Sequence, residues 1–282
     1  MDLTYEFIYS IVEKVMKNNQ KEKEPVGFLT EALGMRAKEV ISLVGAGGKT
    51  TLMFRLAKEL VQNGKKVVTT TTTKILEPVS GETGYLYINP DEEKIKDFLV
   101  RHLNLYHHIT IAQERLGLRK LKGISPNLVD ELWNLEEINT VIIEADGAAG
   151  RPVKAPREWE PVIPLSTTLI VGILGVDGVG AVLNEENVFQ PKQVSGLTGI
   201  PEGGKITDEA MAILIAHPNG IYKGAPASSR RIVFLNKVDI SNGVPKAKSI
   251  ARKIIDKRYQ PIERIVLGQL NNEPPVVEVI FP

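Results

Sequence analysis

The chain has 282 residues, 43% of them hydrophobic and 24% charged. This excludes a mostly disordered chain, which lacks the apolar material to offset its conformational entropy, and allows one large domain or two small ones. Lys and Arg number 35 against 34 Asp and Glu, a net charge of +1, so nucleic-acid binding through a concentrated basic surface is not expected.

At the start, residues 1–6 carry neither the basic region nor the apolar core of a signal peptide. Phe7, Ile8, Ile11, Val12 and Val15 recur at helical spacing, and the polar stretch 17–24 ends at Pro25. Residues 1–24 are therefore expected as an N-terminal helix and linker, and residues 25–282 as a nucleotide-binding domain. A short helix is expected at 28–33. The apolar run 40–44 then reads as a buried parallel strand, followed by a Gly-rich turn. Leu52, Phe54, Leu56, Ala57, Leu60 and Val61 follow with helical period, Asn63-Gly64 suits a C-cap, and 66–70 is the next strand.

Further strands are expected at 85–88, 109–112, 140–144, 168–174, 231–235 and 264–267, and helices at 92–103, 126–133, 208–216 and 245–259. Alternation of short strands with helices predicts an α/β fold of the phosphate-loop nucleotidase kind, a mostly parallel sheet with helices on both faces. Residues 175–227, rich in Gly and Pro, read as an insertion or subdomain. The most apolar run, 168–176, is too short to span a bilayer. A chain with no cysteine excludes disulfides, thiolate metal sites and thiol nucleophiles. A cytoplasmic protein with no membrane partner is expected.

The turn after the first strand is Gly45-Ala46-Gly47-Gly48-Lys49-Thr50-Thr51. Its glycines let amide N–H groups approach phosphate oxygens, and the helix start adds unpaired donors. Lys49 is placed to reach the β- and γ-phosphates and Thr50 to offer its hydroxyl to Mg²⁺. The full phosphate-loop pattern would need Gly at position 43, which is Leu. The shorter form resembles the loop of Mur-type peptide ligases. Residues 141–147 form an apolar strand ending in Glu144 and Asp146, which the alternation sets on one side. Asp146 is the metal candidate, and Glu144, or a Thr within 71–73, would orient or deprotonate a nucleophile. Arg151 and Lys154, in the Gly-rich loop that follows, read equally as phosphoryl-charge stabilisers and as solvated surface charge.

Asn236-Lys237-Val238-Asp239, at the end of strand 231–235, matches the N-K-x-D motif of GTP-binding proteins. A carboxylate such as Asp239 accepts from the two donors on the guanine edge, and adenine offers no such pair. His102, His107, His108 and His217 lack metal-ligand spacing and read as surface or packing residues.

Residues 45–51, 69–74, 144–151, 154–156, 160–164 and 236–239 together resemble the YqeC family, over about residues 25–270. Members are described as accessory factors of selenium-dependent molybdenum hydroxylases. The resemblance implies a role in maturing such an enzyme, with a molybdenum hydroxylase or its cofactor-maturation proteins as partners. It also implies that the phosphate-loop residues and Asp146 form the nucleotide–Mg²⁺ site.

The expected activity is Mg²⁺-dependent binding and slow hydrolysis of a purine nucleotide, GTP in preference to ATP. Lys49, Glu144 and Asp146 form the catalytic set, Thr50 and Asp146 the metal ligands, and residues 45–51 with Asn236, Lys237 and Asp239 the nucleotide contacts. The alternative is an ATP-dependent kinase or ligase acting on a small acidic or cofactor-like substrate, which the short loop favours. A third reading is a binding scaffold with an inactive loop.

Overall fold

The structure, a computed structural model of the chain, describes residues 28–258 and 260–282, so the expected N-terminal helix lies outside the described residues. In chain order α1 (Leu29–Ala32) leads to β1 (Glu39–Gly45), α2 (Lys49–Gln62) and β2 (Val67–Thr71). Then come β3 (Lys74–Leu76), β4 (Tyr85–Ile88), α3 (Glu92–Tyr106), β5 (His108–Ala112), β6 (Glu114–Leu116), β7 (Lys120–Lys122), α4 (Pro126–Leu132), β8 (Thr140–Glu144) and β9 (Val153–Lys154). The remainder comprises β10 (Leu169–Gly175), a 3₁₀ turn (Val176–Gly178), β11 (Val188–Phe189), α5 (Pro191–Thr198), α6 (Asp208–Ala216), β12 (Arg230–Asn236), α7 (Gly243–Lys257), β13 (Arg264–Gly268) and β14 (Val276–Ile280).

Nine strands form one sheet in the order β14-β13-β12-β10-β1-β8-β2-β5-β4, and only β14 runs antiparallel to its neighbour. Every residue of β1, β2, β5, β8 and β10 is buried. Near-continuous apolar runs such as these are stable only when both faces are covered. The pleat divides them. Ile41 and Leu43 of β1 meet Leu52, Met53, Leu56 and Leu60 of α2. Val40 turns to the opposite face with Ile95, Leu99 and Leu103 of α3 and Leu128 of α4. On that opposite face Val44, Val233 and Leu235 pack with Met211 and Ile215 of α6 and Ile250 of α7.

Several features exceed the sequence expectation. β14 follows Pro274-Pro275 and closes one edge of the sheet. β3, β7 and β6 make a small antiparallel flap beyond the end of β2. Residues 175–227 carry α5 in addition to α6, which lies at the expected 208–216, and their Leu183, Val188, Val194 and Ile206 join the core that holds Val44 and Leu174. No helix among the described residues is long and apolar enough to cross a membrane.

At the amino ends of the strands, Glu39 is fully buried and meets Arg230 Nη2 at 2.5 Å. Arg230 also reaches Glu263 at 3.2 Å and donates to the Gly34 carbonyl at 3.1 Å. This cluster ties β1 to β12 and to the start of β13. At the same amino end, in register with Glu39 through Thr140 and Val67, His108 Nε2 lies 3.0 Å from Thr69 Oγ1, which also meets Thr110 Oγ1 at 2.8 Å.

Burial lowers the His108 pKa from 6.5 to about 4. The unfolded chain therefore takes up this proton before the folded one does. The stability contribution is complete above about pH 6.5 and is lost on acidification towards pH 4, by about 3 kcal/mol. Urea unfolding across pH 7 to 4 is expected to show this loss, and His108→Gln is expected to flatten it.

Candidate functional site

The carboxyl ends of β1 and β8 lie side by side, since Leu43 pairs with Glu144 in parallel register. The chain leaves β1 through Gly45, Ala46, Gly47 and Gly48 and enters α2 at Lys49. Gly47 has φ +82, and a Cβ there would sit 2.5 Å from the Gly175 nitrogen, so both conformation and space demand glycine. The turn is pinned at two points. Ala46 N–H donates to the Ile173 carbonyl at 2.8 Å, and Gly45 N–H donates to Asp146 Oδ2 at 3.0 Å.

The side chains over this turn form a buried alternating charge chain. Lys49 Nζ donates to the Gly45 carbonyl at 2.6 Å and lies 3.2 Å from Asp146 Oδ1 and 3.6 Å from Glu144 Oε1. Asp146 Oδ2 meets Lys154 Nζ at 2.9 Å, and Lys154 in turn meets Glu160 Oε2 at 2.9 Å. Lys154 also donates to the Gly147 carbonyl at 2.7 Å. Burial alone would lower the Lys49 pKa, but Asp146 and Glu144 outweigh it and raise it above the ordinary lysine value. Burial, reinforced by Asp146, raises Glu144 against the opposing pull of Lys49 and Thr50.

Glu144 and Asp146 thus flank one ammonium, as the strand alternation predicts. Lys154 is fully buried, so it is not solvated surface charge. β9 pairs with β11 and brings the Phe189 ring within 5.4 Å of Lys154 Nζ. Arg151 lines the cavity over the phosphate loop and donates to the carbonyls of Glu185 and Ala149. The hydroxyls of Thr71 and Thr72 donate to the carbonyls of Glu144 and Val162 at 2.7 Å each, and neither residue lines the phosphate-loop cavity. The partnership between Lys154 and Glu160 carries no sequence signal beyond their presence near one Gly- and Pro-rich loop.

Thr50 donates to Glu144 Oε2 at 2.8 Å, so the hydroxyl expected to share a metal with Asp146 faces Glu144 instead. The donor set fits Mg²⁺ shared with a phosphate ligand. Three carboxylates face two ammoniums, and buried Asp146 Oδ1 accepts no hydrogen bond. Among the described residues no three His, Cys, Asp or Glu side chains could hold a metal by themselves. Any Mg²⁺ here would complete its shell with phosphate oxygens and water, as this ion commonly does.

The end of β12 lies beside the turn. Asn236 Nδ2 donates to the Gly47 carbonyl at 2.8 Å, and its Oδ1 accepts from Leu270 N–H at 3.0 Å. Lys237, at φ +67, pairs with Asp177 at 2.6 Å, a partner without a sequence signal. Asp239 is exposed and accepts from Asn272 Nδ2 at 3.0 Å. Lys49, Thr50, Thr51, Glu144, Asn236 and Lys237 line one cavity of about 280 Å³; Asp239 is not among its lining residues. A larger cleft of about 650 Å³ lies on the other side of Gly147, beneath the flap.

Residues 41–192 match the sequence profile of the family described as YqeC protein. The chain is 29% identical over 255 residues to the Escherichia coli (strain K12) protein described as "Uncharacterized protein YqeC", covering 90% of this chain and 96% of that one. Among solved structures it is similar to the signal recognition particle 54 kDa protein of Aeropyrum pernix K1 in complex with GDP, at 15% identity and a TM-score of 0.36. That match covers 98% of this chain but spans only 56% of the other. FtsY from Mycoplasma mycoides matches at 12% identity and a TM-score of 0.37, over 90% of this chain and 68% of that one. Neither of these distant likenesses bears on function.

Removing one partner from a buried ion pair strands the other charge, at a cost of about 3–5 kcal/mol. Lys154→Met is expected to lower stability by about that amount, and adding Glu160→Gln to recover part of it. Urea unfolding of the single and double variants checks both.

Proposed function

The chain belongs to the YqeC family, and we propose that it binds a purine nucleoside triphosphate with Mg²⁺, GTP in preference to ATP, and hydrolyses it slowly. The observation that carries this reading is the Asn236 side chain, which bonds the phosphate-loop carbonyl of Gly47 and the Leu270 amide together. It joins a Gly-Lys-Thr turn to an Asn-Lys-x-Asp turn, the two elements such a ligand needs at opposite ends.

In this reading the amides of residues 45–51 receive the phosphates, aided by the start of α2. Lys49 exchanges the Gly45 carbonyl for β- and γ-phosphate oxygens. Asp146 stays in place because Lys154 still holds it. Thr50 and Asp146 would hold the Mg²⁺, which when bound would neutralise phosphate charge. Glu144, its pKa raised by burial, is suited to take a proton from the attacking water. Asp239 turns from Asn272 to the guanine edge. The family resemblance supports a place for this activity in maturing a selenium-dependent molybdenum hydroxylase.

A second reading, transfer of the terminal phosphoryl group to another substrate, is favoured by the roomy cleft beyond Gly147. GTP and ATP titrations in Mg²⁺ test the first. GTP is expected to bind more tightly than ATP. Lys49→Ala is expected to weaken both about tenfold or more, in line with a lost charge-assisted contact. Asp239→Asn is expected to weaken GTP alone. ATP binding that needs Lys49 but ignores Asp239 would overturn the guanine assignment, and binding of neither nucleotide would overturn the whole reading.

A further inference from the structure

Beyond the phosphate-loop cavity, the cleft of about 650 Å³ is bounded by the ends of β2 and β5, the flap, and the loop carrying Trp159 and Glu160. Its volume is in the range of small-molecule sites. Three features define what it would accept. Lys74 and Lys122 are direct cross-strand partners on the flap, both exposed and both lining the cleft. Like charges directly opposite one another are unfavourable in a sheet, so an anion placed between these two ammoniums would be favoured. Neither ammonium has an ion-pair partner among the described residues. Glu114, opposite Lys122 on β6, forms no ion pair with it. The carboxylate in the lining, Glu160, is already neutralised by Lys154.

Trp159 is 69% exposed although it lines a cleft whose wall is largely apolar. The Arg157 guanidinium lies 5.7 Å from its ring. An indole left open at a cavity wall offers a stacking face for a flat ring. Gly147 borders this cleft, while Ala148 and Glu144 border the phosphate-loop cavity, so one turn of chain separates the two.

We propose that this cleft is a binding site for a second small molecule, a flat aromatic or heteroaromatic ring bearing a carboxylate or comparable anion. The ring lies against Trp159 and the anion lies between Lys74 and Lys122. The inference rests on the nucleotide reading only in making this molecule a neighbour of the nucleotide. The ligand site itself stands on the cleft.

The test uses 2-naphthoate, its neutral isostere 2-naphthamide, and cyclohexanecarboxylate, titrated calorimetrically into the full chain without nucleotide. Saturable one-to-one binding of 2-naphthoate is expected, with both other compounds weaker. Lys74→Ala/Lys122→Ala, on the exposed flap, is expected to weaken 2-naphthoate by about tenfold, the size of one lost charge-assisted contact. Trp159→Ala is expected to weaken it by about fivefold, as for a lost aromatic contact. The titration contains no nucleotide, so a failed nucleotide titration does not alter this result. Absence of saturable binding, equal binding of 2-naphthamide, or full binding by the double lysine variant would overturn the proposal. Circular dichroism of each variant verifies that the fold is retained.

Discussion

Asp146 is a carboxylate with no exposed surface, and the geometry of the phosphate-loop end of the sheet hangs on how its charge is met. One oxygen takes the Gly45 amide and the Lys154 ammonium, and the other faces Lys49. An isolated buried carboxylate would be prohibitively unfavourable, so these partners are obligatory. They come from two separate stretches of chain: the turn 45–49 that joins β1 to α2, and β9. Satisfying Asp146 therefore folds the turn, aims the lysine and fixes the following loop in one event. Lys154 has a particular part in this. It pairs with Asp146 through Oδ2, independently of the contact between Lys49 and Oδ1.

The sheet order supplies the setting. β1 has β10 on one side and β8 on the other, and the chain that leaves β1 pairs with neither but passes to β2. In open α/β sheets a ligand crevice forms outside the carboxyl ends where the order reverses. Here the glycine turn, the two carboxylates and the Asn236 side chain all come to that crevice from β1, β8 and β12. Asn236 spans the gap with a single amide. It needs one donor and one acceptor at fixed separation, which Asp or Leu in its place would not provide.

Much of this was legible in the chain itself, for physical reasons. Residues 40–44 and 140–144 are continuous apolar runs, and such runs have few homes other than the middle of a covered sheet. The turn at 45–51 announced itself because glycines, a lysine and two threonines occupied the junction of strand and helix. What stayed hidden depended on distant partners. Lys154 reads from the sequence equally as a phosphoryl-charge stabiliser and as solvated surface charge, and its burial follows from the convergence of Asp146 and Glu160 on it. Asp177 carried no motif, and folding alone brings it to Lys237. Thr50 faces Glu144 rather than Asp146, a choice of partner that turns on side-chain direction, not on spacing. The flap strands, three residues each and rich in lysine, are too short for alternation to register, and β14 lies beyond the last expected strand, after two prolines.

The Arg230 cluster lies at the amino ends of the same strands, a full strand length from the phosphate loop. Buried charge is thus concentrated at both ends of the sheet, with an apolar layer between. The two ends differ in what they can yield to change. At the Arg230 end, charge serves cohesion between β1, β12 and β13. Substitutions there would be judged by evolution, or by an engineer, on folding alone. At the Asp146 end Lys49, Glu144 and Glu160 each line a cavity, so a change that firms the fold also alters the walls of those cavities. The strands therefore separate evolvable robustness from chemistry along their own axis, and a sturdier version of this protein is better sought from Glu39 and Glu263 than from Lys154.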